Sequence, residues 1–96
     1  MPERRRLTDV EITDHLVKIP GWEVQHGQLR REFKFDNFVQ AWSFMTAVAL
    51  LAERRDHHPD WSNVYNRVII NLSTHDVGGI SEWDFELAAA INTLRP

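Results

Sequence analysis

The sequence predicts a single α+β domain, in which a four-stranded antiparallel sheet carries three helices on one face in the order α-β-β-α-β-β-α. Three observations predict it. The 96 residues suit one domain. Two pairs of short segments alternate apolar and polar residues around tight turns. Three longer segments repeat apolar residues at helical spacing. Hairpin strands are antiparallel, and helices segregated from them cover one face of their sheet.

The first helix begins at a capping box. Thr8 precedes the helix and Glu11 follows three residues later, so each side chain satisfies a backbone N–H near the other. Leu7 and Ile12 occupy the two positions of a hydrophobic staple around that box. The apolar stripe of this helix comprises Ile12, Leu16 and Ile19. The Pro-Gly pair at 20–21 ends it.

The first strand pair follows directly. Residues 22–26 and 29–35 alternate apolar and polar side chains, and Gly27 between them supplies the backbone freedom of a tight hairpin. In the second strand Leu29, Phe33 and Phe35 point one way, and Arg30, Glu32 and Lys34 point the other. One face of the sheet is therefore predicted to be buried and the other largely polar.

The second helix is predicted from a cap at Asp36 or Asn37 to about Arg55. Its apolar residues are Phe38, Val39, Ala41, Trp42, Phe44, Met45, Ala47, Val48, Ala49, Leu50, Leu51 and Ala52. They occupy more of the helix circumference than contact with one sheet requires. In a chain this short, we expect the second side of the helix to meet another subunit.

The second strand pair and the last helix complete the pattern. Residues 62–65 and 67–74 are predicted strands joined by a turn near Asn66, and a Gly-Gly turn follows at 78–79. The buried face of the last strand comprises Val68, Ile70 and Leu72. Ser81 is predicted to cap the final helix, with Asp84 at the box position and Ile80 and Phe85 as the staple. The buried stripe of that helix comprises Leu87, Ala88, Ile91 and Leu94.

Composition and charge limit the classes of function. The chain is 43% hydrophobic and 26% charged, and its lack of cysteine excludes disulfides and thiolate metal sites and favours a cytoplasmic location. No apolar run approaches the roughly 20 residues of a membrane span, nor does a signal-peptide core follow the charged N-terminus. The net charge of -3 disfavours direct nucleic-acid binding. Residues 1–6, with Arg4, Arg5 and Arg6, are expected to form a flexible basic tail before a domain over 7–96.

Three of the five histidines lie where reacting groups tend to occur. His57 and His58 occupy the polar loop after the second helix, and His75 ends the last strand beside a glycine turn. Free imidazole has a pKa of about 6.5, so two such groups flanking a substrate are suited to general acid and base catalysis. The nearest carboxylates, which are candidates to orient the imidazoles, are Glu53, Asp56 and Asp60.

The same residues also have less specific explanations. An adjacent histidine pair in a loop, such as His57-His58, is often simply solvated. We expect the same of His15 on the first helix and of His26 at the hairpin turn. Three histidines also suit zinc, but adjacent histidines diverge on extended backbone and no HExxH spacing is present, so no metal is predicted. Helix capping explains Asp84 equally well. Most tryptophans are expected to pack, although Trp61 and Trp83 lie near the proposed site and suit stacking on a flat heterocycle.

The spacing of these residues resembles that of the pterin-4a-carbinolamine dehydratase family. The family pattern places an acidic residue before His-His-Pro, then an aromatic residue, a histidine and an aspartate. Here the corresponding residues are Glu53, His57-His58-Pro59, Tyr65, His75 and Asp84. Flanking segments match as well, namely 60–66, 72–75 and 79–81, with Leu7-Thr8, Pro20-Gly21-Trp22 and Phe33-Lys34-Phe35 upstream. The resemblance extends from about Leu7 to Leu94.

The resemblance implies both an activity and an assembly. Members dehydrate 4a-hydroxytetrahydrobiopterin, which aromatic amino-acid hydroxylases produce, to quinonoid dihydropterin without a metal or organic cofactor. It implies that His57 and His75 form the acid/base pair and that His58 chiefly binds the pterin. Residues implied to support the histidines or contact the substrate are Glu53, Asp56, Pro59, Trp61 and Asp84. It also implies a homodimer or homotetramer, as the wide apolar surface of the second helix suggests.

One departure and two alternatives accompany this interpretation. The residue before the last aspartate is often basic in the family and is Trp83 here, which bears on substrate affinity more than on the chemistry. Some relatives act as protein-binding modules, as a transcriptional dimerisation cofactor or an assembly factor, and a dual role is compatible with these residues. A metal-dependent hydrolase built on the three histidines is the other alternative, and the metal content of the purified protein tests it.

Overall fold

The computed structural model describes residues 5–94, which contain three α-helices, four strands and one short 3-10 helix. In chain order they are α1 (Asp9–Leu16), β1 (Glu23–Gln25), β2 (Gln28–Lys34), α2 (Phe38–Arg55), β3 (Asp60–Val64), β4 (Arg67–Leu72), the 3-10 helix (His75–Val77) and α3 (Glu82–Leu94). The predicted order of helices and strands is confirmed, and the 3-10 helix is an addition between β4 and α3.

The four strands form one antiparallel sheet in the order β1-β2-β4-β3. Leu29 at the start of β2 pairs with Leu72 at the end of β4, and Asp60 at the start of β3 pairs with Asn71. The turn between β1 and β2, the segment after β4 and the loop before β3 therefore emerge at the same end of the sheet. All three predicted catalytic histidines lie in the last two of these segments.

A single apolar core fills the space between the helices and one face of the sheet. Its fully buried sheet residues include Leu29, Val68, Ile70 and Leu72. Each such side chain stabilises the fold by about 1.5–3 kcal/mol relative to exposure. The helices contribute Ala41, Phe44, Val48 and Ala52 from α2 and Phe85, Leu87, Ala88 and Ile91 from α3, with Ile12 and Leu16 of α1 packed alongside. The three helices thus cover one sheet face, as predicted.

The predicted helix starts are present. The Thr8 and Glu11 side chains cap each other's backbone at α1, and Asn37, one of the two candidates, caps α2. At α3 the Ser81 hydroxyl accepts from the Trp83 N–H at 3.2 Å, and the Ser81 N–H donates to the Asp84 carboxylate at 2.9 Å. These side chains satisfy backbone N–H groups that have no partner inside the helix.

Several predicted boundaries are wrong by two or three residues. The first helix ends at Leu16 rather than extending to Ile19, and β3 begins at Asp60 rather than at residue 62. The last strand ends at Leu72 because the chain turns into the 3-10 helix, leaving Thr74 in an isolated bridge with Gly79. Element ends depend on where pairing partners stop, which apolar periodicity does not encode.

One charged residue lies on the buried side of the sheet. Arg31 is opposite Ile70, and its guanidinium donates to the Asn92 side-chain oxygen at 2.7 Å and to the Pro20 carbonyl at 3.2 Å. Trp22 donates to the same Asn92 oxygen at 2.7 Å. Strand alternation puts Arg31 on the same face as Leu29 and Phe33. Its hydrogen bonds tie α3 to the turn before β1.

The expected basic tail lies partly outside the described residues. Residues 1–4 of the expected tail, and residues 95–96, lie outside the described residues. Arg5 donates two hydrogen bonds to the Glu11 carboxylate, at 2.9 and 2.5 Å. The division of the chain after residue 6 stays a prediction.

Within residues 5–94, no helix combines the length and the apolar character needed to cross a membrane.

Candidate active site

The loop after α2 turns His57 into the protein. Asp56 ends the helix in the left-handed conformation, with φ of 50°, and its N–H donates to the carbonyls of Ala52 and Glu53. The His57 N–H also donates to the Ala52 carbonyl, at 3.1 Å. The chain therefore reverses within two residues, and the His57 side chain is only 7% exposed.

Inside the protein His57 meets Asp84 at the start of α3. The Nε2 atom of His57 lies 2.5 Å from one carboxylate oxygen of Asp84, whose side chain is completely buried. The other oxygen accepts from the Thr74 hydroxyl at 2.8 Å and the Ser81 N–H at 2.9 Å. The Ser81 and Thr74 hydroxyls also contact each other, at 2.5 Å. Asp84 thus caps α3 and holds a histidine with the same side chain.

The second ring nitrogen of His57 stays available. Its Nδ1 has no hydrogen-bond partner among residues 5–94, and the Nε atom of Arg55 is their sole fully buried, unpartnered side-chain nitrogen or oxygen. The Nδ1 atom therefore reaches solvent. With Nε2–H donated to Asp84, Nδ1 carries a lone pair and accepts a proton, and in the imidazolium form it donates one. A carboxylate that orients an imidazole in this way is the arrangement of a histidine general base.

His58 points to the surface instead. Its Nε2 lies 2.9 Å from the carboxylate of Glu53 in the last turn of α2, and the two side chains are 58% and 80% exposed. Exposed ion pairs contribute about 0–1 kcal/mol to stability, so this contact leaves the His58 ring free to turn toward a ligand. The predicted pairing of Glu53 with the histidine pair is present, but only for His58.

His75 begins the 3-10 helix and is exposed. The residue before it, Thr74, is 1% exposed and bound to Asp84, so the backbone of His75 starts beside the His57–Asp84 pair. The three histidines form no hydrogen bonds to one another within residues 5–94. The structure brings His57 and Asp84 into contact, and it brings His58 and His75 to the same end of the sheet.

The remaining predicted site residues differ in their surroundings. Asp56 is exposed at the left-handed end of α2, and Pro59 is half-buried. Trp61 lies opposite Ile70 and packs against the core. The Trp83 ring centroid is 6.3 Å from that of His57, at an interplanar angle of 51°. Of the two candidate stacking tryptophans, Trp83 is therefore the one in contact with a site histidine.

Thr74 is the site residue that the sequence analysis missed. The alternation that buries Val68, Ile70 and Leu72 puts position 74 on the same side. A threonine at the end of an otherwise apolar row was the available signal. No group of three or more histidine, aspartate and glutamate side chains among residues 5–94 is arranged to hold a metal ion.

Comparison with known proteins identifies the family of this chain. Residues 5–94 match the family described as pterin 4 alpha carbinolamine dehydratase. Proteins of Prochlorococcus marinus strains MIT 9312 and MIT 9303, provisionally named pterin-4-alpha-carbinolamine dehydratase, are each 53% identical to this chain. The alignments span 88 and 90 residues, which are 92% and 94% of both chains in each comparison.

A solved structure shares the fold as well. The crystal structure titled transcriptional coactivator/pterin dehydratase, from Brucella melitensis, superposes with a TM-score of 0.91 at 40% identity. The superposition covers 96% of this chain and 100% of the other. With the matching sequences and the three helices on a four-stranded antiparallel sheet, this similarity shows that the chain belongs to the pterin-4a-carbinolamine dehydratase family.

Proposed function

We propose that this protein catalyses the dehydration of 4a-hydroxytetrahydrobiopterin to quinonoid dihydropterin and water, by histidine general acid/base catalysis. The observation that carries the proposal is the buried His57–Asp84 pair, which leaves one imidazole nitrogen open to solvent at the sheet end shared with His58 and His75. Membership of the family and the names of the relatives support the same reaction.

The reaction needs two proton transfers and no net gain or loss of protons. An acid protonates the hydroxyl on C4a, the C4a–O bond breaks and water leaves. A base removes the proton from N5, and the freed electron pair forms the C4a–N5 double bond. The acid and the base exchange protonation states in each turnover, and solvent resets them. Imidazole suits both tasks because it gains and loses a proton near neutral pH.

We assign the acid/base pair to His57 and His75 and substrate positioning to His58. His57 suits proton transfer because the hydrogen bond to Asp84 fixes the orientation of its ring. The exposed His58 and its weak contact with Glu53 suit a side chain that turns toward bound substrate. This assignment uses no metal or organic cofactor.

Stopped-flow absorbance of 4a-hydroxytetrahydrobiopterin dehydration near neutral pH tests the proposal. We expect the wild type to accelerate the spontaneous reaction, and His57→Ala and His75→Ala each to reduce kcat by about 100-fold or more. His15→Gln, which changes a histidine on α1 outside the site, serves as the matched control and should keep wild-type turnover. A folded wild-type protein without acceleration would refute the proposed enzyme.

The exposed surface of α2 supports a second proposal, that copies of this chain associate. Phe38, Val39, Trp42 and Leu50 are 47–70% exposed although all are large and apolar. We propose that they form the contact of a homodimer or homotetramer.

The Brucella relative is described as both a transcriptional coactivator and a pterin dehydratase, so an additional protein-binding role is the alternative function. The cytoplasmic location favoured by the absence of cysteine stays a prediction.

A further inference from the structure

His26, which the sequence analysis assigned to solvent, lies at the same end of the sheet as the candidate catalytic histidines. It occupies the first position of the two-residue turn between β1 and β2, where Gln25 pairs with Gln28. Because β2 pairs with β4, this turn lies beside the segment that carries His75. His26 and His75 line the same open cavity of about 340 Å³, a volume within the range of small-molecule sites.

The backbone at His26 is unusual for a side chain of this kind. Its φ is 54°, and that of Gly27 is 74°. Two consecutive left-handed residues form the hairpin turn in which asparagine followed by glycine is preferred. Uncommon backbone conformations of residues other than glycine are found where side chains meet ligands. Here the conformation accompanies an imidazole in the wall of the His75 cavity.

The cavity wall has a distinctive chemistry. Among the described residues its side-chain polar groups are imidazoles, an amide and hydroxyls, with no carboxylate, lysine or arginine. Gln28 donates from its side-chain nitrogen to the Ser73 hydroxyl at 3.3 Å. That bond leaves the Ser73 O–H free to donate and the Gln28 carbonyl free to accept. Such a wall offers donors and acceptors that suit the hydroxyl groups of a neutral polyol.

We infer that His26, Gln28 and Ser73 form a subsite for the hydroxylated side chain at C6 of the pterin, while the ring occupies the space beside His57 and His75. The inference rests on the proposed function. It makes His26 a specificity residue, because its partners on the substrate are the side-chain hydroxyls and not the C4a and N5 atoms that react. Side-chain contacts of this kind lower KM and leave kcat largely unchanged.

The test compares two stable ligands that differ only at C6, namely 7,8-dihydrobiopterin with a dihydroxypropyl group and 6-methyl-7,8-dihydropterin. Calorimetric titration should show that the wild type binds the hydroxylated ligand about tenfold more tightly, as expected for one or two neutral hydrogen bonds. His26→Gly keeps the left-handed turn and removes the imidazole, and Gln28→Ala removes the amide. Each should weaken binding of dihydrobiopterin about five- to tenfold and leave the methyl ligand unchanged.

Gln25→Ala is the matched control, because it changes an exposed residue of the same hairpin outside the cavity wall. It should bind both ligands as the wild type does. Equal wild-type affinity for the two ligands, or equal weakening of both by His26→Gly, would overturn the subsite.

Kinetics separate the subsite from the proposed function. With the 4a-hydroxy substrates that correspond to the two ligands, His26→Gly should raise KM for the dihydroxypropyl substrate alone. Wild-type discrimination between the ligands without any acceleration of dehydration would overturn the proposed enzyme and support the subsite. A folded wild-type protein that binds neither pterin would overturn both.

Discussion

His57 and Asp84 are separated by 26 residues in sequence, yet their side chains meet in the buried part of the candidate site. The cost of burying a carboxylate is offset here because each of its oxygens accepts from a well-placed donor. The same bonds fix the ring of His57 and leave its Nδ1 toward solvent. At the scale of single residues, this one carboxylate connects helix capping with the orientation of the candidate catalytic histidine.

Replacing Asp84 by asparagine tests that connection. An asparagine offers one acceptor where the carboxylate offers two, so either His57 or the Thr74 and Ser81 donors lose a partner. We expect Asp84→Asn to lower kcat by about 100-fold or more, because the His57 ring loses its orientation. The unfolding free energy should fall by about 1–3 kcal/mol. Stopped-flow kinetics and urea denaturation measure the two effects.

Glu86→Gln provides the control for Asp84→Asn, since it makes the same chemical change on an exposed part of α3. It should alter neither quantity appreciably. Wild-type turnover by Asp84→Asn would contradict the role of the carboxylate in orienting His57. A loss of stability without a loss of turnover would reduce Asp84 to a helix cap.

At the scale of elements, α1 depends on its first turn, because it contributes no fully buried residue to the core. The Arg5 guanidinium, with the Thr8 N–H, lowers the pKa of Glu11 from 4.5 to about 2. The folded protein therefore binds a proton at this carboxylate only at lower pH than the unfolded chain does. The stabilisation from Glu11 is complete above pH 4.5 and is lost as the pH falls from about 4.5 to about 2.

Glu11→Gln keeps a capping side chain and removes the charge. We expect the variant to be less stable than the wild type at neutral pH, and the difference to shrink as the pH falls toward 2. Chemical denaturation across this pH range measures it, with Asp14→Asn on the same helix as the control. A difference that stays constant with pH would show that the Glu11 charge has no part in stabilising α1.

Substitutions at two glycines in turns allow the cost of backbone strain to be compared with the cost of steric crowding. Gly21 and Gly27 both have positive φ, 93° and 74°. A Cβ atom built on Gly27 meets nothing within 4 Å, whereas one on Gly21 lies 2.7 Å from the Arg31 guanidinium. We expect Gly27→Ala to cost about 1 kcal/mol from strain alone. Gly21→Ala should cost about 2 kcal/mol or more, because Arg31 must also shift from its hydrogen bonds.

Urea denaturation of the two glycine variants gives the comparison directly. The Gly27 variant is the internal control, because it shares the backbone change and lacks the crowding. Equal losses of stability would mean that Arg31 moves aside freely. That result would contradict a structural role for the bonds that join Arg31 to Asn92 and Pro20.

At the scale of the whole molecule, α2 has two apolar sides and the described chain covers one of them. Ala41, Phe44, Val48 and Ala52 face the core, and Trp42 and Leu50 are 56% and 67% exposed. Large exposed apolar residues along one helix are typical of protein contacts. The predicted second buried side of α2 thus remains available for another copy of the chain.

Trp42→Glu tests association through this surface. We expect the wild type to sediment as a dimer or tetramer at micromolar concentration. The variant should shift toward monomer, because a buried unpaired charge opposes contact by several kcal/mol. Val10→Glu is the matched control, since Val10 is 71% exposed on α1, away from α2. A monomeric wild type, or a variant that still assembles, would contradict α2 as the interface.

Local sequence patterns determined the order of helices and strands, the helix caps and most of each buried face. Leu94, predicted in the buried stripe of the last helix, is instead 39% exposed. Each of these patterns depends on near neighbours. Thr8 and Glu11 are three residues apart, and Val68, Ile70 and Leu72 follow the twofold period of a strand. The same patterns placed His57 and His58 in a loop and His75 at the end of a strand. The motif around His57 indicated the family.

Contacts between distant residues were decided only by the tertiary structure. The order β1-β2-β4-β3 brings the turn at His26 beside the segment of His75, and the packing of α3 brings Asp84 to His57. Periodicity shows which face a side chain occupies but not which residue it meets there. Strand register and helix packing decide that, because they depend on the free energy of the whole core rather than on any one segment.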